Sequence, residues 1–173
     1  MAVTGPTTRL NLGCGMTRFD SFTGVDRIPT DAADVVHDLN QFPYPWSDNS
    51  VQEILMDNTL EHLDDVVAVI EELHRILVPG GRAIIIVPYA KSEGAFADPT
   101  HKHFFTERSL DYFNGKYEYS YYSKAKFAVE YEFGSLNGNW KEKTRNLLPL
   151  RRILRYFLMN MYDEVRFVLT KVD

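Results

Sequence analysis

The sequence predicts an α/β chain built on an open, mostly parallel sheet, with helices on both faces and an antiparallel C-terminal edge. Three observations carry this. Short apolar runs alternate with turn signals and helical patterns through the first half of the chain, the rhythm of a parallel sheet with crossover connections. Between residues 61 and 77 the apolar residues Leu63, Val66, Val67, Ile70, Leu73, Ile76 and Leu77 recur three or four apart, the period of an amphipathic helix. "RAIIIVP" at 82–88 is continuously apolar and β-branched, as a central strand covered on both faces is.

In chain order, strands are expected over 9–12, 22–26, 34–38 and 51–57. The helix over 61–77 follows and is stopped by Pro79-Gly80-Gly81. Only the nine residues 13–21 separate the first two strands. A parallel crossover takes a dozen or more, so the first crossover helix is short or absent. "KFAVEYEF" at 126–133 and "DEVRFVLTKV" at 163–172 alternate apolar with charged residues and make a closing antiparallel pair. Between them "NLLPLRRILRYFLMNMY" at 146–162 reads as an inserted helix that buries Leu150, Ile153, Leu154 and Phe157 and leaves Arg151, Arg152 and Arg155 solvated. The same arginine-studded segment, 147–161, also suits an interfacial helix that touches a membrane or a partner.

With 173 residues, 45% of them hydrophobic, the chain suits one domain over 1–173: a ligand-binding half over 9–90, then a substrate loop, the inserted helix and the closing strands over 91–173. A net charge of -5 argues against a broad nucleic-acid footprint, which needs a surplus of Lys and Arg on one face. A small-molecule ligand is the better expectation. Cys14 is the only cysteine, so no intrachain disulfide forms; the opening "MAVTGPTTRL" lacks the charged start and apolar core of a leader, and no apolar run reaches membrane-spanning length. These features lead to the expectation of a cytoplasmic, soluble protein.

Gly13-Cys14-Gly15 follows the first strand, and in an open α/β sheet ligands bind beyond the carboxyl ends of the strands. Glycines there let the backbone approach a ligand, and free N–H groups meet a carboxylate or phosphate. Asp26 ends the second strand, where a carboxylate accepts hydrogen bonds from both ribose hydroxyls. Asp38 ends the third and suits an adenine amino group. The constellation describes an adenosine with a polar tail. A dinucleotide fingerprint needs a third glycine where Arg18 stands, and a P-loop needs G-K-[ST], which is absent.

"LNLGCG", "GVD", "VVHDLNQFPY", "DNSVQEILMDNTLEHL" and "ELHRILVPGGRAIIIVP" resemble, in order and spacing, the motifs of class I S-adenosylmethionine-dependent methyltransferases, most closely the small type 11 group. The resemblance covers residues 9–113 and implies a Rossmann-like fold with S-adenosylmethionine as cofactor. It places Gly13 and Gly15 by the methionine part, Asp26 with its neighbour Arg27 by the ribose, Asp38 and Leu39 by the adenine, and Asp57 and Asn58 beside the sulfonium and acceptor. Asn11 stands where the family often has an acidic residue, and its amide oxygen can still accept from the cofactor's amino group.

Methyl transfer is an in-line displacement, so the protein aligns the nucleophile and, for a hydroxyl, takes its proton. Histidine suits that task. His62 follows Glu61 at the start of the helix; its plain reading is packing or capping. "DPTHKHFFTERSLDYF" at 98–113 follows a long polar loop of the kind that makes lids, and similar family members carry an Asp-Pro-x-His there, which favours His101 as the base. His103 lies two residues on and faces the other way in extended backbone. A metal set of Asp98, His101 and His103 has no strong ligand spacing, so no metal is expected. Phe104-Phe105 should anchor the loop, and Thr106 with Ser109 should cap a helix "ERSLDYF". The five tyrosines of 112–124 form either a covering edge or an aromatic wall for a sugar ring. The expected activity is methyl transfer to a small acceptor, at oxygen, such as a sugar or other hydroxylated compound. The alternatives are a non-catalytic S-adenosylmethionine-binding module or scaffold, and a nicotinamide oxidoreductase, which the missing glycine weakens.

Overall fold

The structure, a computed structural model, describes residues 8–135, 143–145 and 147–172. Residues 1–7, which open the segment read for a leader, and Asn146 of the expected inserted helix lie outside them. Seven strands form one sheet: β1 (Thr8–Leu12), β2 (Thr23–Asp26), β3 (Val35–Val36), β4 (Val51–Asp57), β5 (Leu77–Pro88), β6 (Phe127–Gly134) and β7 (Glu164–Lys171). Their order is β3-β2-β1-β4-β5-β7-β6. The first five are mutually parallel, and β7 and β6 run antiparallel at the edge, with Ile85 opposite Phe167 and Phe167 opposite Tyr131. The chain order reverses between β1 and β4, so ligand-binding ends of strands converge at that point.

Helix α1 (Val66–Ile76) is shorter than the 61–77 expected. It starts at Asp65, whose side chain accepts from the Ala68 N–H at 2.9 Å. Residues Leu60–His62 form a separate 3-10 turn instead. The helix buries Val69, Ile70, Leu73 and Ile76 in the same cluster as Ile54, Met56, Ala83, Ile85, Val87 and Phe167. Strand β5 begins directly at Leu77 and carries Pro79-Gly80-Gly81 within it, Gly80 taking a φ of 75° that favours glycine.

Two-sided burial of β5 is corrected. Ala83, Ile85 and Val87 are fully buried, whereas Ile84 and Ile86, which point the other way, are only partly covered. The reason lies in the connections. The ten residues between β1 and β2 are held by turns, with the Gly13 and Cys14 N–H groups both donating to the Val25 carbonyl at 2.8 and 3.0 Å. No helix fills that crossover, and among the described residues α1 is the single helix longer than four residues. Arg18, where a dinucleotide fingerprint would have glycine, instead bonds to Asp34 and the Asp31 carbonyl and braces the loop against the β2–β3 connection.

The C-terminal segment departs furthest from expectation. In place of a long helix, 147–162 contains one helical turn, Arg151–Leu154, bracketed by Leu150 and Asn160 in the left-handed region. Leu150, Ile153 and Phe157 are exposed. Leu154 packs partly against the core, and the buried polar residue is Arg155. Its guanidinium pairs with Glu107 and lies 4.7 Å over the Phe133 ring. Arg151 likewise turns inward, 4.0 Å over Tyr162. Among the described residues no helix is long and apolar enough to cross a membrane.

Candidate active site

Two cavities open at the carboxyl ends of the strands. The smaller, about 200 Å³, is lined by Gly13, Asp26, Arg27, Asp38, Leu39, Asn40, Asn58, Thr59, His62, Leu63 and Lys102. Most of the residues expected at the cofactor therefore meet. Gly13 takes a φ of 76°, and a Cβ on it would sit 2.3 Å from the Thr59 hydroxyl, so both backbone and packing require glycine. Asp26 is fixed from two sides, accepting from the Gly15 N–H at 2.9 Å and the Ile28 N–H at 3.0 Å. The lone pairs of the carboxylate that these bonds leave free suit the two hydroxyls of a ribose. Asp38 is oriented by the Asn40 N–H at 3.0 Å.

Three expected cofactor residues lie outside this lining. Asn11 is buried and turns its amide nitrogen to the Thr17 carbonyl at 3.3 Å. Gly15 serves by holding Asp26, and Asp57 accepts from the Asn58 side chain at 2.9 Å. Sequence reasoning missed Asn40, Thr59, Leu63 and Lys102. Thr59 and Lys102 had signals: one follows the β4 motif directly, and the other sits between two histidines already under suspicion.

The larger cavity, about 770 Å³, is lined by residues that include Asn58, Pro88, Glu93, His101, Arg145, Asp163 and Glu164. Its size falls in the range of small-molecule sites. Its lining carries the carboxylates Glu93, Asp163 and Glu164 and the cation Arg145. Arg145 pairs with Asp163, while burial and the charges of Asp57 and Asp163 push the Glu164 carboxyl above its usual range. Asn58 walls both cavities, holding a left-handed backbone (φ 47°) of the kind that is found at functional sites.

The loop after β5 is tied down at several points. Asn160 donates its N–H to the Lys91 carbonyl at 2.7 Å, and the Lys102 and His103 N–H groups donate to the Glu61 carbonyl at 2.8 and 3.2 Å. Phe105 is the core anchor; Phe104 is exposed and stacks on Phe96 instead. The expected helix "ERSLDYF" is a 3-10 turn, Asp111–Phe113, and Ser109 accepts from the Thr106 N–H at 2.8 Å in a local turn. The tyrosine cluster lines neither cavity: Tyr121 and Tyr122 lie against each other with tilted rings in solvent.

His101 and His103 diverge. His101 donates from Nδ1 to the Ala95 carbonyl at 2.9 Å and lines the larger cavity, while His103 bonds the Leu63 carbonyl at 2.9 Å. With Asp98 holding Thr100 through 2.6 and 2.8 Å bonds, the trio Asp98, His101 and His103 does not converge. What converges is Glu61, His62 and His101, with the two rings 4.8 Å apart. Burial pushes the Glu61 carboxyl up to about 7.

Residues 10–85 match the family model for a methyltransferase domain, type 11. No curated protein matches the chain. Among solved structures, an Archaeoglobus fulgidus S-adenosylmethionine-dependent methyltransferase superposes with a TM-score of 0.69 at 18% identity, over 97% of this chain and 87% of that one. A Haloferax volcanii methyltransferase solved with the Trm112 activator gives 0.62 at 18% identity, over 100% and 86%. Phosphoethanolamine N-methyltransferase 2 of Haemonchus contortus, solved with S-adenosyl-L-methionine, gives 0.58 at 13% identity, over 99% of this chain and 50% of that one. These matches, with the sheet order and the strand-end cavity, give the chain the fold of class I S-adenosylmethionine-dependent methyltransferases, with a methyltransferase-domain match over residues 10–85.

Proposed function

We propose that the chain transfers a methyl group to an oxygen of a small hydroxylated acceptor, a sugar or similar compound, held in the larger cavity. One observation carries this reading: Asn58 walls both the Asp26–Asp38 cavity and the cavity that contains His101, so cofactor and acceptor spaces meet at one residue. The bound cofactor supplies an electrophilic methyl at a sulfonium. Everything else falls to the chain. Asp26 orients the ribose, Asp38 and Leu39 border the adenine, and the Asn58 wall aligns the acceptor for in-line attack. His62 lines the smaller cavity and His101 the larger, and they are the groups placed to accept the acceptor's proton.

The test pairs binding with turnover. Asp26→Ala should weaken S-adenosylhomocysteine binding by about 1.5–3 kcal/mol, the worth of hydrogen bonds to a charged group. Equal calorimetric affinities would remove Asp26 from the site. Incubation with radiolabelled cofactor and a panel of sugars and polyols should yield a labelled product, whereas cofactor binding without product from any acceptor class favours the non-catalytic module. A second reading, transfer to an amine, is favoured by the acidic lining of Glu93, Asp163 and Glu164, so amines belong in the same panel.

The exposed side chains of Leu147, Leu150, Phe157 and Met159 give 147–161 an apolar surface that suits contact with a membrane or a partner. The Haloferax volcanii relative was solved with an activator protein, and an activator-type partner for this chain is the corresponding expectation. Placement in the cytoplasm fits the lone cysteine.

A further inference from the structure

Glu61 is 1% exposed, and among the described residues neither of its carboxylate oxygens has a hydrogen-bond partner. Burying such a group without a partner is costly, and native structures avoid it unless something else occupies the gap. The one cationic side chain within ion-pair distance among the described residues is His101, whose Nε2 lies 3.9 Å from Oε1. That is too long for a hydrogen bond.

Both neighbouring imidazoles are held in a single tautomer by their partners. The Ala95 carbonyl can only accept, so His101 carries its proton on Nδ1. Thr100 Oγ1 donates its one proton to Asp98 at 2.6 Å and can therefore only accept from His62 Nδ1, 3.0 Å away. In each neutral ring Nε2 is thus left with a lone pair and no proton. Metal-ligating histidines are built this way, one nitrogen donating to a fixed oxygen so that the other faces the ion. One nitrogen from each ring and one Glu61 oxygen lie within 4.8 Å of one another. Ligands about 2.0–2.2 Å from a tetrahedral ion sit roughly 3.4 Å apart, so rotations of about 1 Å close the set.

We propose that Glu61, His62 and His101 bind one divalent transition-metal ion of the zinc class. Two imidazoles and one carboxylate disfavour magnesium and calcium, which take oxygen donors, and match the ligand set of catalytic zinc and of open two-histidine, one-carboxylate centres. Three protein ligands leave a coordination position open. His62 lines the smaller cavity and His101 the larger, so that position lies at their junction. Resting on the methyl-transfer reading, the ligand for it is the hydroxyl oxygen of the acceptor; the ion would lower that hydroxyl's pKa so that its proton leaves to solvent, and direct proton acceptance by the two histidines is then confined to the metal-free protein.

Chelator-stripped protein titrated calorimetrically with Zn²⁺ should bind one equivalent, and Co²⁺ should develop visible absorption of a low-symmetry site. Glu61→Gln, His62→Ala and His101→Ala should each weaken Zn²⁺ binding by at least 10- to 100-fold, while His103→Ala, whose ring bonds Leu63, should leave it unchanged. Melting of each variant without metal shows which ones fold. Glu61→Gln keeps the shape of the buried side chain and carries the test if a histidine variant does not fold. No binding by wild type, or binding unaltered in the folded variants, overturns the site. S-adenosylhomocysteine titrated into the stripped protein separates the two readings. Retained binding with no Zn²⁺ uptake leaves the cofactor reading standing and ends this one; Zn²⁺ uptake without nucleoside binding does the reverse.

Discussion

Strand β5 and the segment 147–159 draw on the same kinds of residue and use them in opposite ways. In β5 the apolar side chains Ala83, Ile85 and Val87 go fully inside, and Arg82 stays out. In 147–159 Leu147, Leu150, Ile153 and Phe157 are outside, and the guanidiniums of Arg151 and Arg155 lie over Tyr162 and Phe133. The difference is what each segment has to cover. Strand β5 has a strand on either side, parallel β4 and antiparallel β7, that satisfies its backbone, so its side chains answer only to burial. The C-terminal segment instead meets the Tyr162 and Phe133 rings and the Glu107 carboxylate, where a planar cation with five donors fits better than leucine.

The largest test of this contrast is a pair of truncations. Ile85→Ala removes a fully buried side chain from the sheet and should cost about 4 kcal/mol in urea unfolding. Phe157→Ala removes a larger side chain that is 80% exposed and should change stability by no more than about 0.5 kcal/mol. If the phenylalanine proves as costly as the isoleucine, the outward orientation of the segment is wrong.

Next in size is Arg155→Ala, which leaves Glu107 without its partner in a nearly buried position. Removing one partner of a buried pair costs about 3–5 kcal/mol, and a pair roughly one-tenth exposed belongs at the lower end. Arg152→Ala, on an outward-facing neighbour, should fall within about 0.5 kcal/mol. Equal losses from the two would restore the solvated-arginine pattern that helical periodicity suggests.

The same contrast explains how much could be read from the residues. The sheet was legible because period and length fix it: the runs at 9–12, 51–57 and 82–88 became β1, β4 and the core of β5, and the short link after Leu12 correctly left no room for a helix. Gly13 and Asp26 lie where the strand ends put them, whereas β3 stops at Val36, short of the expected 34–38, and Asp38 lies two residues beyond it. The inward turn of Arg151 and Arg155 was not legible. It depends on Phe133, Tyr162 and Glu107, which come from distant parts of the chain, and on left-handed backbone at Leu150 and Asn160 that no helical pattern announces. The Glu61–His62–His101 cluster was hidden for a related reason. His62 and His101 were separately suspect, but the bonds that join them run through Thr100 and the Glu61 backbone.

The smallest expected effect lies in the legible half, at a residue the pattern placed but could not assign a charge. His74 sits in the last turn of α1, its ring 5.1 Å from that of Phe127. Burial first, and then the nearby charge of Lys171, hold its imidazole below the ordinary histidine range. The folded state thus resists a proton that the unfolded chain accepts near pH 6.5, and below that pH the unfolded state binds more protons. Stability from this group is complete above about pH 6.5 and falls as the pH drops through the depressed folded value. Glu61, held up at about 7, acts in the opposite sense below neutrality, but equally in wild type and variant. His74→Gln cannot titrate, so its urea midpoint should fall less between pH 7.5 and 5.5 than that of wild type. Parallel midpoints over that range would mean that the His74 ring is protonated equally in both states, and the burial argument for it would fail.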